Sequence, residues 1–581
     1  MNRKSKKHLA CGLALAMALG LTISPVSGQA AAKKVKVSKT KVSITVKKKV
    51  TLKVKNAGKK KVSAKMANKK IATVKVSKKK LIITGKKAGK TKLTVTVKGM
   101  KKCVVTVSVT KKNQSKNTNT AKTDSTKKQT TAVTSTPRPT ATATPGNKAT
   151  ETPKATDEAS DAAKLKKFIA EQKKLGAELP ENIENDYYYE WEGNKLVRIE
   201  WNACELKGNL DMSAFTNLKV LYIRFNEITS LNVTKCTNLE YLNFEDNQIN
   251  DIDVSKCPKL TYIICSTNKI EKLDLLACKQ LECIHCAENP ITELKLVSGE
   301  NNLVDLNCRK NNLSKLDLTK FTKLGYLDCA ENQIADLDLT KCPELVSISC
   351  GENVLTDLDL TKCSQLQDIW CQSNQISSLK LAGKMDDLES LDVSGNKLES
   401  LSIADYPKLE AFRCDDNRLI TLGIKNCPKV ESIRCEDNQL KNLNITDCSQ
   451  LTALSCDNNQ LSSLDVTNLP ALEQLWCPGN LLSDLDLSQQ TDLRALNCSN
   501  NQLTSLDISK CQPSYLECMQ NKISNLDLPK GMYLGLLRCE GNNIKTLDFT
   551  QVKLSDAFAL TCDDDVTLIG YTKPENTTDS E

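Results

Sequence analysis

Cys283, Ile284, His285 and Cys286, with Cys278 a few residues upstream, place two ligand types for a transition metal side by side in this 581-residue chain. Zinc binds thiolate and imidazole, but only where the ligand atoms converge on one point. On an extended strand, alternate residues face opposite sides, so Cys283 and His285 point one way and Cys286 the other. Those ligands diverge, and the expectation is no metal and no cofactor. A catalytic reading of Cys283 with His285 needs a third group to orient the imidazole, and the sequence indicates none. The chain has two histidines, His8 and His285. It shows no glycine-rich phosphate loop, no G-x-S-x-G and no paired-carboxylate motif. The expectation is therefore a protein that is not an enzyme.

Twenty-six cysteines in one chain would ordinarily imply disulfides. Their spacing points elsewhere. From Leu196 onward a unit L-x-x-L-x-C-x-x-N-x-L-x-x-L-D-L-x-x-C-x-x recurs, as in Leu324, Leu327, Cys329, Asn332 and Ile334. Its Asn recurs at Asn226, Asn247, Asn268, Asn289, Asn311, Asn332, Asn353, Asn374, Asn396, Asn417, Asn438, Asn459, Asn480, Asn501, Asn521 and Asn542. Counting Cys204 before and Asp565 after, twelve of seventeen steps are 21 residues and the rest 20 to 23. Fourteen cysteines lie three residues before the Asn position, from Cys265 to Cys562, and eight lie ten after it, from Cys236 to Cys511. Both columns are read as interior, where free Cys behaves as a small hydrophobe. In-register neighbours point side by side, which suits a disulfide poorly.

The unit resembles the leucine-rich repeats of bacterial surface proteins, the internalin-like kind in particular. The resemblance spans roughly 370 residues and implies a solenoid of about 18 repeats of 21 residues, with parallel β-strands on a concave face. Strands about 4.8 Å apart would make a curved rod on the order of 85 Å long. It implies an inward ladder of the Asn side chains, with Cys204 and Asp565 in its place at the two ends. It also implies that ligands are held by the side chains six, four, two and one residues before the ladder. On that face lie Tyr222, Tyr241, Tyr262, Tyr326, Asp328, Trp370, Asp392, Arg413, Arg434, Trp476 and Tyr515. Exposed aromatics beside charges are what recognition surfaces use. Ten Asp six residues after the ladder, such as Asp317 and Asp338, are read as solvated turn residues on the opposite edge.

The segments before the repeats differ in kind. Residues 1–32 carry Arg3, Lys4, Lys6 and Lys7, then an apolar run from Leu9 to Ile23 and small residues with cleavage expected after Ala30 or Ala32, as an export signal does. Residues 33–110 contain 27 Lys and no Asp, Glu or Arg. Their short alternating runs, such as Val42–Val46 and Leu93–Val97, predict a small antiparallel β-sandwich. Ile71-Ala72-Thr73-Val74 and Lys87-Ala88-Gly89 through Val95 resemble the group-2 bacterial immunoglobulin-like domains, without the Trp that family often carries before the first segment. Residues 111–160, rich in Thr, Lys and Pro, predict a disordered linker. Residues 161–195 predict an N-terminal cap, opening on a helix with Leu165, Phe168, Ile169 and Leu175 at helical spacing. Residues 196–570 hold the repeats and 571–581 a polar tail. The predicted class is thus multidomain: an all-β sandwich, a linker and a leucine-rich-repeat solenoid.

Charge divides the chain. Residues 33–110 carry +27, whereas 161–581 carry 42 basic and 65 acidic residues, a net −23. A polycationic module suits anionic cell-wall polymers as a partner, and the solenoid suits a protein or glycan ligand. No nucleic acid is expected as a partner, and no integral membrane segment or covalent anchor after export. The function these features imply is an exported binding protein, adhesin-like, secreted or held non-covalently at a bacterial cell surface. A structural wall or matrix spacer without a specific ligand is the alternative, and an enzyme comes third.

Overall fold

A computed structural model describes residues 41–45, 49–54, 62–77, 80–87, 89–97, 103–110, 160–297 and 302–572. The expected export signal, linker and final residues of the tail lie outside the described residues. The chain forms two compact units, divided between Ala143 and Thr144.

In the first unit, period-2 alternation becomes seven strands in two sheets. One sheet holds Lys41–Thr45, Cys103–Thr110, Gly89–Val97 and Val62–Met66 in that order, and the other Lys49–Lys53, Lys80–Gly85 and Ala72–Ser77. Leu52, Leu81 and Ile83 of one sheet and Leu93, Val95, Val105 and Val107 of the other share one buried core. The expectation of a wholly antiparallel sandwich needs one correction. Lys41–Thr45 runs parallel to Cys103–Thr110. These are the first and last strands, which no hairpin joins, so no tight turn dictates their relative direction.

The second unit is an LRR-like solenoid. Nineteen strands form its main sheet. Only Tyr189–Glu192 pairs antiparallel, with Lys195–Glu200. From there eighteen strands run parallel to Lys553–Thr561, mostly three residues long. The middle residue of each points inward: Leu306, Leu327, Ile348 and Ile369 are in register and buried. On the far side of each turn short sheets recur, such as Asp357–Asp359 with Ser378–Lys380.

The ladder satisfies backbone groups that a three-residue strand leaves over. Asn332 donates from Nδ2 to the carbonyls of Cys308, Cys329 and Ala330 at 3.0–3.1 Å and accepts from the Leu313 N–H at 3.0 Å. One side chain thus ties two turns together. All sixteen ladder Asn accept from the preceding turn in this way. The residue before each adopts a left-handed backbone, from Phe225 (φ 59°) to Gly541 (φ 73°). Only Gly395, Gly479 and Gly541 in that column are glycine. A side chain at Gly395 would approach the Ser373 backbone to 3.3 Å.

Both cysteine columns face the interior, and all 24 cysteines described carry free, buried thiols. The column after the ladder also donates: Cys236, Cys278 and Cys342 reach the carbonyls of Met212, Val254 and Leu318 at 3.4–3.7 Å. Gln490 occupies the same column and does the same to Val466 at 2.6 Å. That column therefore suits a small hydrophobe able to donate weakly. Burial pushes Cys257 and Cys342 up to about 11, and a thiol so raised stays protonated and inert, whereas a hydrogen bond with the neighbouring Cys448 draws Cys427 down.

The ends differ from the middle. The helix Asp161–Lys174 starts at the N-cap Ser160, whose hydroxyl accepts from the Ala163 N–H. Leu165 and Ile169 are buried, and Phe168 stacks on Trp201 at 5.3 Å. Leu175, expected on the apolar face, is instead the exposed C-cap. Cys204 sits buried at the first ladder position. Asp565 does not take the last one. It is exposed and pairs with Lys545 at 2.6 Å, while Asp563 accepts the Gly541 and Asn542 N–H groups. A carboxylate cannot donate to the ladder carbonyls, so the final turn is closed by Asp563 from outside instead.

Candidate ligand-binding face

Each strand of the main sheet turns its first and third residues outward, and parallel register stacks them into columns. The aromatic and charged residues expected on this face fall into separate groups along it.

Near the cap, Tyr222, Tyr241 and Tyr262 are brought together. Ring centroids lie 4.7 Å apart for the first pair and 5.3 Å for the second, which is stacked. The Arg198 guanidinium lies 5.5 Å over Tyr222, and the Tyr262 hydroxyl donates to Glu282. The sheet register supports this stack, because Tyr241 and Tyr262 are direct partners.

In the middle of the sheet, Tyr326, Asp328 and Trp370 line one hollow of about 410 Å³. Its other walls include Asp305, Asn307, Arg309, Ser347, Ser349 and Gln372, none of which the pattern of aromatics had singled out. The hollow exists because one repeat presents Ser347, Ser349 and Gly351 outward between bulky neighbours. Three small residues in successive outward positions were the sequence signal. Gly351 leaves room that the Gln372 side chain occupies; a Cβ there would lie 2.6 Å from it. Tyr326 is exposed, Trp370 half-buried. Burial raises the Asp328 carboxyl, opposed by the Ala330 N–H and Arg309. Arg309 itself pairs with Glu331.

Asp392, the register partner of Trp370, and Arg413 on the strand after it do not line this hollow. Asp392 accepts from the N–H and hydroxyl of Ser394, and Arg413 pairs with Asp392 at 3.7 Å and Asp415 at 3.2 Å. Arg434 is likewise engaged by Glu436. Tyr515 donates to Glu517, which also accepts from Arg538 at 3.2 Å. Trp476 stands half-buried between Ser455 and Asn497, away from the other aromatics. The solvated Asp on the far edge do a definite job: Asp317 accepts both the N–H and the hydroxyl of Thr319, which holds its carboxyl below the usual range.

Cys283 and His285 point away from Cys286 as expected, but the expectation that no third group stands beside them is overturned. Cys286 does face the interior, but Cys283 and His285 share the outer face and meet a third residue, Asp305, from the next strand. His285 Nε2 lies 3.0 Å from Asp305 Oδ2, and Cys283 Sγ lies 3.8 Å from the same oxygen. The orienting group was invisible in sequence because it comes 20 residues later and reaches the pair only through strand register.

Residues 216–257 match the family described as leucine-rich repeats (2 copies). No curated protein matches the chain. Among solved structures, the chain is similar to the functional domain of InlJ from Listeria monocytogenes, which includes a cysteine ladder. Identity is 27% and the TM-score 0.44, over 60% of this chain and 74% of that one. It is also similar to YopM from Yersinia enterocolitica WA-314, at 23% identity and a TM-score of 0.44, over 64% of this chain and 77% of that one. YopM from Yersinia pestis is similar at 24% identity and a TM-score of 0.43, over 55% and 88%. The repeats of this chain are leucine-rich repeats where that family description matches, and the sheet continues them in one register on either side.

Proposed function

We propose that this protein is an exported, non-enzymatic binding protein of a bacterial surface, adhesin-like, that holds a protein or glycan ligand on the outer face of its main sheet. The observation that carries this reading is the hollow lined by Tyr326, Asp328 and Trp370. It offers aromatic surface, carboxylates and hydroxyls on a rigid sheet, which is the mixture that specific recognition uses. A rigid platform also lowers the entropy lost on binding. The lysine-rich first unit is read as an immunoglobulin-like module that holds anionic wall polymers and so keeps the protein at the cell.

The test begins with a binding screen of the protein against host proteins, mucins and bacterial glycans. For whichever ligand is found, Trp370→Ala should weaken binding by about 1–3 kcal/mol, as a central aromatic anchor does, with circular dichroism unchanged. Tyr515→Ala, far along the sheet, should leave affinity within a few tenths of a kcal/mol. Unchanged affinity for Trp370→Ala would remove the site from this hollow.

A further inference from the structure

We propose that Cys283, His285 and Asp305 form a three-ligand site for one divalent transition-metal ion, zinc above all, with a fourth position open to solvent. This goes beyond the ligand-binding reading and does not depend on it.

The residue types are the first argument. Of the 24 solenoid cysteines described, 22 occupy the two interior columns and Cys204 the first ladder position. Cys283 alone stands in an outward strand column. The chain has two histidines, and His285 is the one beyond the N-terminal segment. These two singular residues share one strand, two positions apart, on the same side.

Geometry is the second. The Sγ, the imidazole nitrogen and a carboxylate oxygen all lie within 4.8 Å of one another. Ligand atoms at about 2.0–2.3 Å from a tetrahedral zinc ion stand roughly 3.3–3.8 Å apart, so only small side-chain movements would close the set. Cys283 and Asp305 are register partners in adjacent parallel strands, which holds their Cα positions fixed. Tyr262 and Ile264, the partners of Cys283 and His285 on the preceding strand, wall one side. Cys283 is 5% exposed and His285 half-buried. The ion would be held against the sheet, with its remaining position facing outward.

Chemistry is the third. Thiolate, imidazole and carboxylate together suit zinc or a neighbouring borderline ion, not calcium or magnesium. Thiolate and carboxylate carry two negative charges, which a divalent ion neutralises. The competing reading is a cysteine nucleophile with His285 as base, and the arrangement disfavours it. The imidazole faces the Asp305 carboxylate, 3.0 Å from His285 Nε2, and not the thiol it would have to deprotonate. The carboxylate also stands between the two partners in hydrogen-bonding terms, contacting both Sγ and Nε2. Binding would release the thiol proton, so affinity should rise with pH.

Cobalt(II) is the probe, because thiolate coordination gives it a charge-transfer absorption that zinc lacks. The full chain, stripped of metal and kept reduced, should take up one equivalent with that absorption and lose it on addition of zinc. Asp305→Asn and His285→Gln should each weaken uptake at least about tenfold, and Cys283→Ser should abolish the charge-transfer band. Cys103→Ser should change nothing. Folding of each variant is checked by circular dichroism; if Cys283→Ser does not fold, the other two decide. Absence of stoichiometric uptake, or uptake that Asp305→Asn and His285→Gln leave unaltered, would overturn the site.

Discussion

Asp457 illustrates how a single outward position can be costly. It follows Asp415 and Glu436 in one column, two residues before successive ladder Asn. Burial first, and then the neighbouring Glu436 charge, push its carboxyl up to about 7, against the help of Ser455. Glu436 is raised by burial too, though Arg434 offsets part of this. A carboxyl whose folded pKa exceeds its unfolded one favours folding while protonated, and that advantage fades as pH climbs from about 4 to 7. Asp457→Asn should therefore stabilise the protein by up to about 4 kcal/mol at pH 8 and hardly at all at pH 4. Denaturation midpoints at the two pH values check this, and equal gains would contradict it. Thr267 carries a different cost, a β-branched side chain at φ 56°. Asn tolerates that conformation and occupies the same column as Asn458 and Asn500. Thr267→Asn should gain about 1 kcal/mol, read as a rise in melting temperature; a fall would place a stabilising contact at the threonine.

The turn is the element that repeats, and the ladder Asn is what joins one turn to the next. Asn332 is buried, whereas Asn542, near the end, is half-buried. Asn332→Ala would leave the Leu313 N–H without its acceptor in the interior and take one of two donors from the Cys308, Cys329 and Ala330 carbonyls, which keep Asn311, Asn353 and the Lys310 N–H. We expect it to cost about 2–3 kcal/mol, and Asn542→Ala about 1 kcal/mol, because water can reach the groups exposed there. Thermal melts of the two variants decide; similar losses would show that burial is not what makes the ladder matter. At this scale the fold was legible in the sequence, because the Asn, the Leu and both cysteine columns recur with the period of one turn. The hollow was only half legible. Tyr326, Asp328 and Trp370 stood out by type, but Ser347, Ser349 and Gly351 matter by being small, a signal that has meaning only beside the neighbouring turns.

Across the whole molecule, charge is the largest asymmetry, +27 over 33–110 against −23 over 161–581. Eight lysines of the first unit have described side chains (Lys65, Lys69, Lys70, Lys75, Lys80, Lys86, Lys87 and Lys92), and all eight are exposed. Burying an unpaired ammonium is costly, so the lysines ring the small core of Leu81, Ile83, Val95 and Val107. The full protein should bind isolated Gram-positive walls at low salt and elute well below 1 M, as the Debye length shrinks from about 10 Å at 0.1 M to about 3 Å at 1 M. Residues 161–581 alone should not be retained. Equal retention of that piece would assign wall binding to the solenoid and end the reading of the lysine-rich unit as the tether.

Period and residue type were enough to determine the repeating turn, its interior columns and its ladder, because each depends on contacts between a residue and its equivalent one turn away. The helix Asp161–Lys174 was equally local. What only the tertiary structure decided lies where unlike residues from different turns meet. Register set Asp305 beside Cys283 and His285. The fold also drew Asp392, the register partner of Trp370, into a pair with Arg413, gave the last turn to Asp563 rather than Asp565, and laid the first strand of the sandwich parallel to its last. Such meetings follow from the path of the whole chain, and no periodicity along a single repeat encodes them.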